Sequence, residues 1–136
     1  MTFTVGVRLG PLRNPPAQLP KALDILHSRH VRYVSFFGGE PLLHPGLPEM
    51  IRTAVDKGMG TALITNGWRL PLLLDRLAAA GLKTVYVSID AAGISDHEGN
   101  RGLKGVCDRI RTATQRMPEL GIAAFDLGSN DPILAG

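Results

Sequence analysis

Cysteine is almost missing from this 136-residue chain: there is one, Cys107. A single thiol excludes an internal disulfide, and it excludes any metal or cluster site built wholly from this chain's own thiolates. Aromatic residues are scarce as well, at 5%. They do not interleave with basic residues as the stacking platforms of a nucleic-acid surface would. No apolar run approaches the ~20 residues that a membrane-crossing helix needs. The amino end, MTFTVGVRLG, lacks the basic-then-apolar layout of a secretory leader, so a cytoplasmic setting is expected.

What is present is a globular composition, 44% hydrophobic and 20% charged. That is too apolar for a disordered chain, and the length fits one domain over residues 1–136 that buries roughly two thirds of its unfolded surface. Net charge is +3. The basic residues Arg13, Lys21, Arg29, Arg52, Lys57, Arg76, Lys83 and Arg111 are spread along the chain with acids between them, the pattern of a solvated surface. Neither a nucleic acid nor a membrane is indicated as a partner.

Along the chain, strand and helix patterns alternate. Thr2 to Leu9 alternates Phe3, Val5, Val7 and Leu9 against smaller or polar neighbours, which reads as a strand. GPLRNPP follows as a loop, since its three prolines remove backbone donors. Leu19, Ala22, Leu23 and Leu26 recur at helical spacing within Gln18 to Arg29. Val31 to Phe37 is dense in β-branched and aromatic residues and ends at Gly38-Gly39. Pro48 to Lys57 reads as a helix, Thr61 to Thr65 as a strand closed by Asn66-Gly67, and Pro71 to Ala80 as a helix stopped by Gly81. Thr84 to Ile89 is a further strand, Leu103 to Met117 a further helix, and Ile122 to Leu127 a last strand. Residues 128–136 read as a tail with no core role.

This alternation predicts an α/β fold with a parallel sheet of repeated βα units. In such sheets ligands sit beyond the carboxyl ends of the strands. Gly38-Gly39-Glu40, Thr65-Asn66-Gly67, and Ser88 with Asp90 all collect there. The sharpest local feature is FFGGEPLLHP, Phe36 to Pro45. Paired glycines let a ligand approach the backbone, and Pro41 fixes the chain after Glu40. A strand-end carboxylate beside bare carbonyls suits a cationic group such as an α-amine or a sulfonium. A bare Gly-Gly reads first as an ordinary turn, but a strand before it and Glu-Pro and a helix after it favour a binding role.

These residues carry a resemblance. GGEPLLHP is similar to the GGEP motif of the radical S-adenosylmethionine (SAM) superfamily, ITNGWRL (Ile64 to Leu70) to its TNG signature, and VSIDA (Val87 to Ala91) to its SxD signature. HEGNRGLKGVCDRI (His97 to Ile110) resembles the RGxxG helix entry. The likeness runs over residues 31–121, with the four motifs in order. It implies a fragment of a partial (β/α)6 TIM-like barrel whose rim holds SAM through Gly38, Gly39, Glu40 and Pro41. Ser88 would also contact SAM, while Thr65 or Asn66 would face substrate or cofactor. Arg101 would meet the SAM carboxylate or a substrate anion, oriented by Asp90; a loop-stabilising ion pair is an equal reading of those two.

One part of the pattern is absent. Family members hold a [4Fe–4S] cluster on a CxxxCxxC loop after the first strand, with SAM as the fourth ligand. Here that stretch is GPLRNPPAQ, with no cysteine, histidine or carboxylate. Cys107 falls on the apolar face of a predicted helix, where a small buried hydrophobe is expected. The four histidines show no metal-site spacing. The distal barrel strands are missing too. The resemblance thus implies a partial radical SAM domain from an enzyme family, with this chain expected to be inactive alone and any SAM affinity vestigial. An alternative is a cluster-less remnant that binds SAM, an acidic partner, its own copy or a complementing chain through uncovered sheet edges. A third reading is an unrelated α/β enzyme with phosphate-binding glycine loops; it lacks a GxxxxGK[ST] or GxGxxG fingerprint.

Overall fold

The computed structural model describes residues 3–9, 19–88, 105–128 and 131–133. Their elements alternate as the periodicities require: β1 (Phe3–Leu9), α1 (Leu19–Ser28), β2 (Val31–Gly38), α2 (Leu47–Asp56), β3 (Gly60–Thr65), α3 (Leu70–Ala80), β4 (Thr84–Val87), α4 (Val106–Leu120) and β5 (Ala123–Asp126). A short 3-10 turn, Pro41–Leu43, joins β2 to α2. The strands form one sheet in chain order, β1-β2-β3-β4-β5. Every neighbouring pair is parallel, as expected of successive strands joined by right-handed crossovers.

The two faces of the sheet differ. Val34, Phe36, Leu63, Val85 and Val87 point to one face and are wholly buried beneath the helices. There they meet Leu23, Met50, Ile51, Leu74, Leu77 and Met117, the inward stripes of the amphipathic helices. The helices touch in order, α1 on α2, α2 on α3 and α3 on α4, so they form one layer. The other face carries Tyr33, Ser35 and Phe37 of β2, Thr84 and Tyr86 of β4, and Phe125 of β5. No described helix covers it. Tyr33 is 53% exposed, and Tyr86 stacks on Phe125 with ring centroids 5.5 Å apart. Parallel sheets are ordinarily covered on both faces; among the described residues this one is covered on one.

Most element ends shift by a residue from the sequence reading, and three departures bear on the fold. The last helix does not stop at Met117 but runs through Pro118 to Leu120. Pro118 has no N–H to donate to the Thr114 carbonyl, so the helix continues there without that one bond. Gly121 then ends the helix in the left-handed conformation at φ +73°. The region read as a tail also takes part in the fold: the Ile133 N–H donates to the Ala124 carbonyl at 2.8 Å and the Asp126 N–H to the Asp131 carbonyl at 2.8 Å. This short antiparallel return, bridged at Phe125 and Pro132, lies along the outer edge of β5, and Ile133 packs against the core. Strand β4 ends at Val87; Ile89 lies outside the described residues.

Candidate functional site

Because all strands are parallel, the carboxyl ends of β1 to β5 lie at one end of the sheet, and Gly38, Thr65, Val87 and Asp126 mark that rim. The glycine that ends β2 is required by the backbone. Gly38 sits at φ +152°, and a Cβ placed on it would lie 2.4 Å from the Leu9 carbonyl oxygen. Its neighbour is unconstrained: a Cβ on Gly39 would meet nothing within 4 Å, and Gly39 is exposed. Of the pair, Gly38 therefore serves the β1–β2 contact, and Gly39 leaves open space beside the backbone.

Glu40 reaches back across the rim to β3. Its carboxylate accepts the Leu42 N–H at 2.9 Å and the Asn66 N–H at 2.8 Å, and the Thr65 hydroxyl lies 2.8 Å from each of its oxygens. Cradled by these three donors, the carboxylate caps the 3-10 turn at its start and ties the end of β2 to the end of β3. Such bonds to a charged acceptor are stronger than neutral ones. Pro41 is buried at the first position of that turn, where a missing N–H costs nothing.

Thr65 and Asn66 turn their side-chain oxygens inward as well. Thr65 is 2% exposed, and its hydroxyl also accepts the Gly67 N–H at 3.0 Å. The Asn66 Oδ1 accepts the Trp68 N–H at 2.9 Å, an Asx turn that the Asn-Gly pair signals in the sequence. Gly67, at φ +87°, is closely packed: a Cβ there would lie 2.6 Å from Ile110 Cγ1 of α4. Ser88 joins the same end of the sheet through its N–H, which donates to the Thr65 carbonyl at 2.9 Å. The structure thus brings Gly38, Gly39, Glu40, Pro41, Thr65, Asn66 and Ser88 together. Asp90 and Arg101 lie outside the described residues.

Two residues beside this rim were not singled out from the sequence. The Arg109 guanidinium lies 4.2 Å from the Trp68 ring centroid, and its Nη1 donates to the Trp68 carbonyl at 3.1 Å. This cation–π pair fastens the first turns of α4 to the β3–α3 turn. Its sequence signal is weak, since 41 residues separate the partners. His44 is buried, its Nδ1 accepting the Gly46 N–H at 3.1 Å, and it shapes the entry to α2. The sheet's open face also holds a depression of about 370 Å³ lined by Thr4, Tyr33, Gly60, Lys83 and Tyr86. It lies at the amino ends of the strands, away from the rim. Among the described residues no three His, Cys, Asp or Glu side chains are grouped to hold a metal ion.

A family model described as the Radical SAM superfamily matches residues 7–126. The chain is 41% identical over 73 residues to an AdoMet-dependent heme synthase of Methanosarcina barkeri, covering 53% of this chain and 21% of that protein. It is 46% identical over 72 residues to a GTP 3',8-cyclase of Chlorobaculum tepidum, covering 52% and 22%. With the mycofactocin maturase MftC of Mycobacterium tuberculosis it shares 33% identity over 111 residues, covering 81% and 28%. It therefore spans between a fifth and just over a quarter of the length of these curated relatives. Among solved structures, TYW1 with a lysine-pyruvate adduct bound superposes with a TM-score of 0.51 at 20% identity, over 76% of this chain and 38% of that one. This likeness shows a shared fold.

Proposed function

The chain belongs to the radical SAM superfamily, and from that premise we propose that it supplies the part of such a domain that holds SAM, without the ligands that hold an iron–sulfur cluster. The observation that carries this reading is the division of labour at the strand-end rim. Gly39 leaves the backbone accessible, while Glu40 is committed to Leu42, Thr65 and Asn66. The methionine amine of SAM then meets the backbone of Gly38 and Gly39, and Asn66 and Ser88 lie beside it. Glu40, Pro41 and Thr65 act as positioning residues that fix this backbone, and the carboxylate's nearby charge favours a cationic amine or sulfonium.

A [4Fe–4S] cluster does not fit the donor set. Three thiolates are needed and the chain has one, Cys107. That thiol sits in the first turn of α4 and packs against the core. The stretch between β1 and α1 contains no cysteine, histidine or carboxylate. Reductive cleavage of SAM is therefore not assigned to this chain acting alone, and its reading is a SAM-binding domain.

The test is a calorimetric titration of the full chain with SAM. Saturable binding is expected, and Gly39→Val, which fills the open space without disturbing the fold, weakens it by about tenfold or more. Absence of saturable binding, or a Gly39→Val variant that binds as well as the parent, contradicts the reading.

A further inference from the structure

The two edges of the sheet are unequal. The outer edge of β5 is occupied by the antiparallel return at residues 131–133, with Pro132 at its bridge. Proline on an edge and a covering segment are both devices that stop a strand from pairing with another chain. β1 has neither. Among the described residues nothing pairs with its outer side, and Phe3, Thr4, Gly6 and Arg8 are exposed. The strand is seven residues long, holds no proline, and carries one charge, Arg8.

Strand alternation fixes which backbone groups are free. The Phe3 N–H donates inward to the His30 carbonyl at 3.0 Å, so Phe3, Val5, Val7 and Leu9 turn their amides toward β2. Thr4, Gly6 and Arg8 turn theirs outward. A sheet with one open edge can extend only by pairing that edge with the same edge of another copy. The closed form of such a contact is a two-fold, which makes the new pair antiparallel.

We propose that this chain forms a dimer in which β1 pairs with β1 of a second copy, antiparallel about a two-fold at Gly6. This register places outward-facing residues opposite one another: Gly6 meets Gly6 of the second copy, and Thr4 meets Arg8. Three hydrogen-bonded pairs result, the most that the outward amides of β1 allow. Shifting the centre to Val5 or Val7 leaves only two such pairs within the strand. The Gly6 register also keeps the two Arg8 side chains apart, since each lies against a neutral threonine. The product is a continuous ten-stranded sheet with both helical layers on one side. It is a closed pair, because the β5 edges stay covered.

The register gives the test. Sedimentation of the full chain over a concentration series up to about 500 μM should show a monomer–dimer equilibrium, the contact being small and the affinity modest. Thr4→Lys places a second cation opposite Arg8 twice per dimer and should raise the dissociation constant about tenfold. Thr4→Glu places an anion there and should lower it by a similar factor, and salt should erase both effects. Thr4 is exposed, and circular dichroism reports whether each variant keeps the fold. A monomer throughout the series overturns the proposal. So does a dimer indifferent to both substitutions, or growth into open-ended assemblies.

Discussion

At the scale of single residues, the rim separates structural from accessible positions more sharply than the motif GGEP does as a string. Gly38→Ala forces a side chain into a left-handed backbone and against the Leu9 carbonyl. It should lower unfolding stability by about 3 kcal/mol, read as a fall in the urea midpoint. Gly39→Ala meets nothing and should leave stability within about 0.5 kcal/mol. Glu40→Ala leaves the Leu42 and Asn66 amides and the Thr65 hydroxyl without their acceptor. A loss of about 2–3 kcal/mol is expected in the same urea titration. If Glu40→Ala instead melts like the parent, the carboxylate is no clamp. The sequence made these residues legible as candidates through glycine, proline and a carboxylate after a hydrophobic strand. It could not show that Glu40 is occupied, because its partners Thr65 and Asn66 lie 25 and 26 residues away and periodicity carries no record of polar pairing at that range.

Elements were the most legible level, since each is written in a local period. The alternation in TVYVSI and the helical spacing of Leu19, Leu23 and Leu26 depend only on neighbours. Long-range packing then decides the details. Gly67 reads as a turn glycine in Asn-Gly, yet it is also where α4 meets the β3–α3 turn through Ile110. Gly67→Ala should therefore cost about 2 kcal/mol in the urea midpoint, from the positive φ together with displacement of Ile110. Little loss would mean that α4 can shift freely. The return at Asp131 to Ile133 was illegible because three residues hold no period. Its effect is on the edge: removing residues 131–136 exposes β5, and light scattering should then show larger, open-ended assemblies in place of the closed pair. An unchanged assembly state would show that the return protects nothing.

For the whole molecule, the described residues form a five-stranded parallel sheet covered on one side, the proposed SAM site lies at its strand-end rim, and the chain offers one thiol toward a cluster. The most direct test is anaerobic reconstitution of the full chain with iron and sulfide, followed by dithionite and SAM, with 5′-deoxyadenosine quantified against time. The account predicts none above the protein-free control, because one thiol cannot hold the cluster. Catalytic formation of 5′-deoxyadenosine, with about four irons retained per chain, would contradict it.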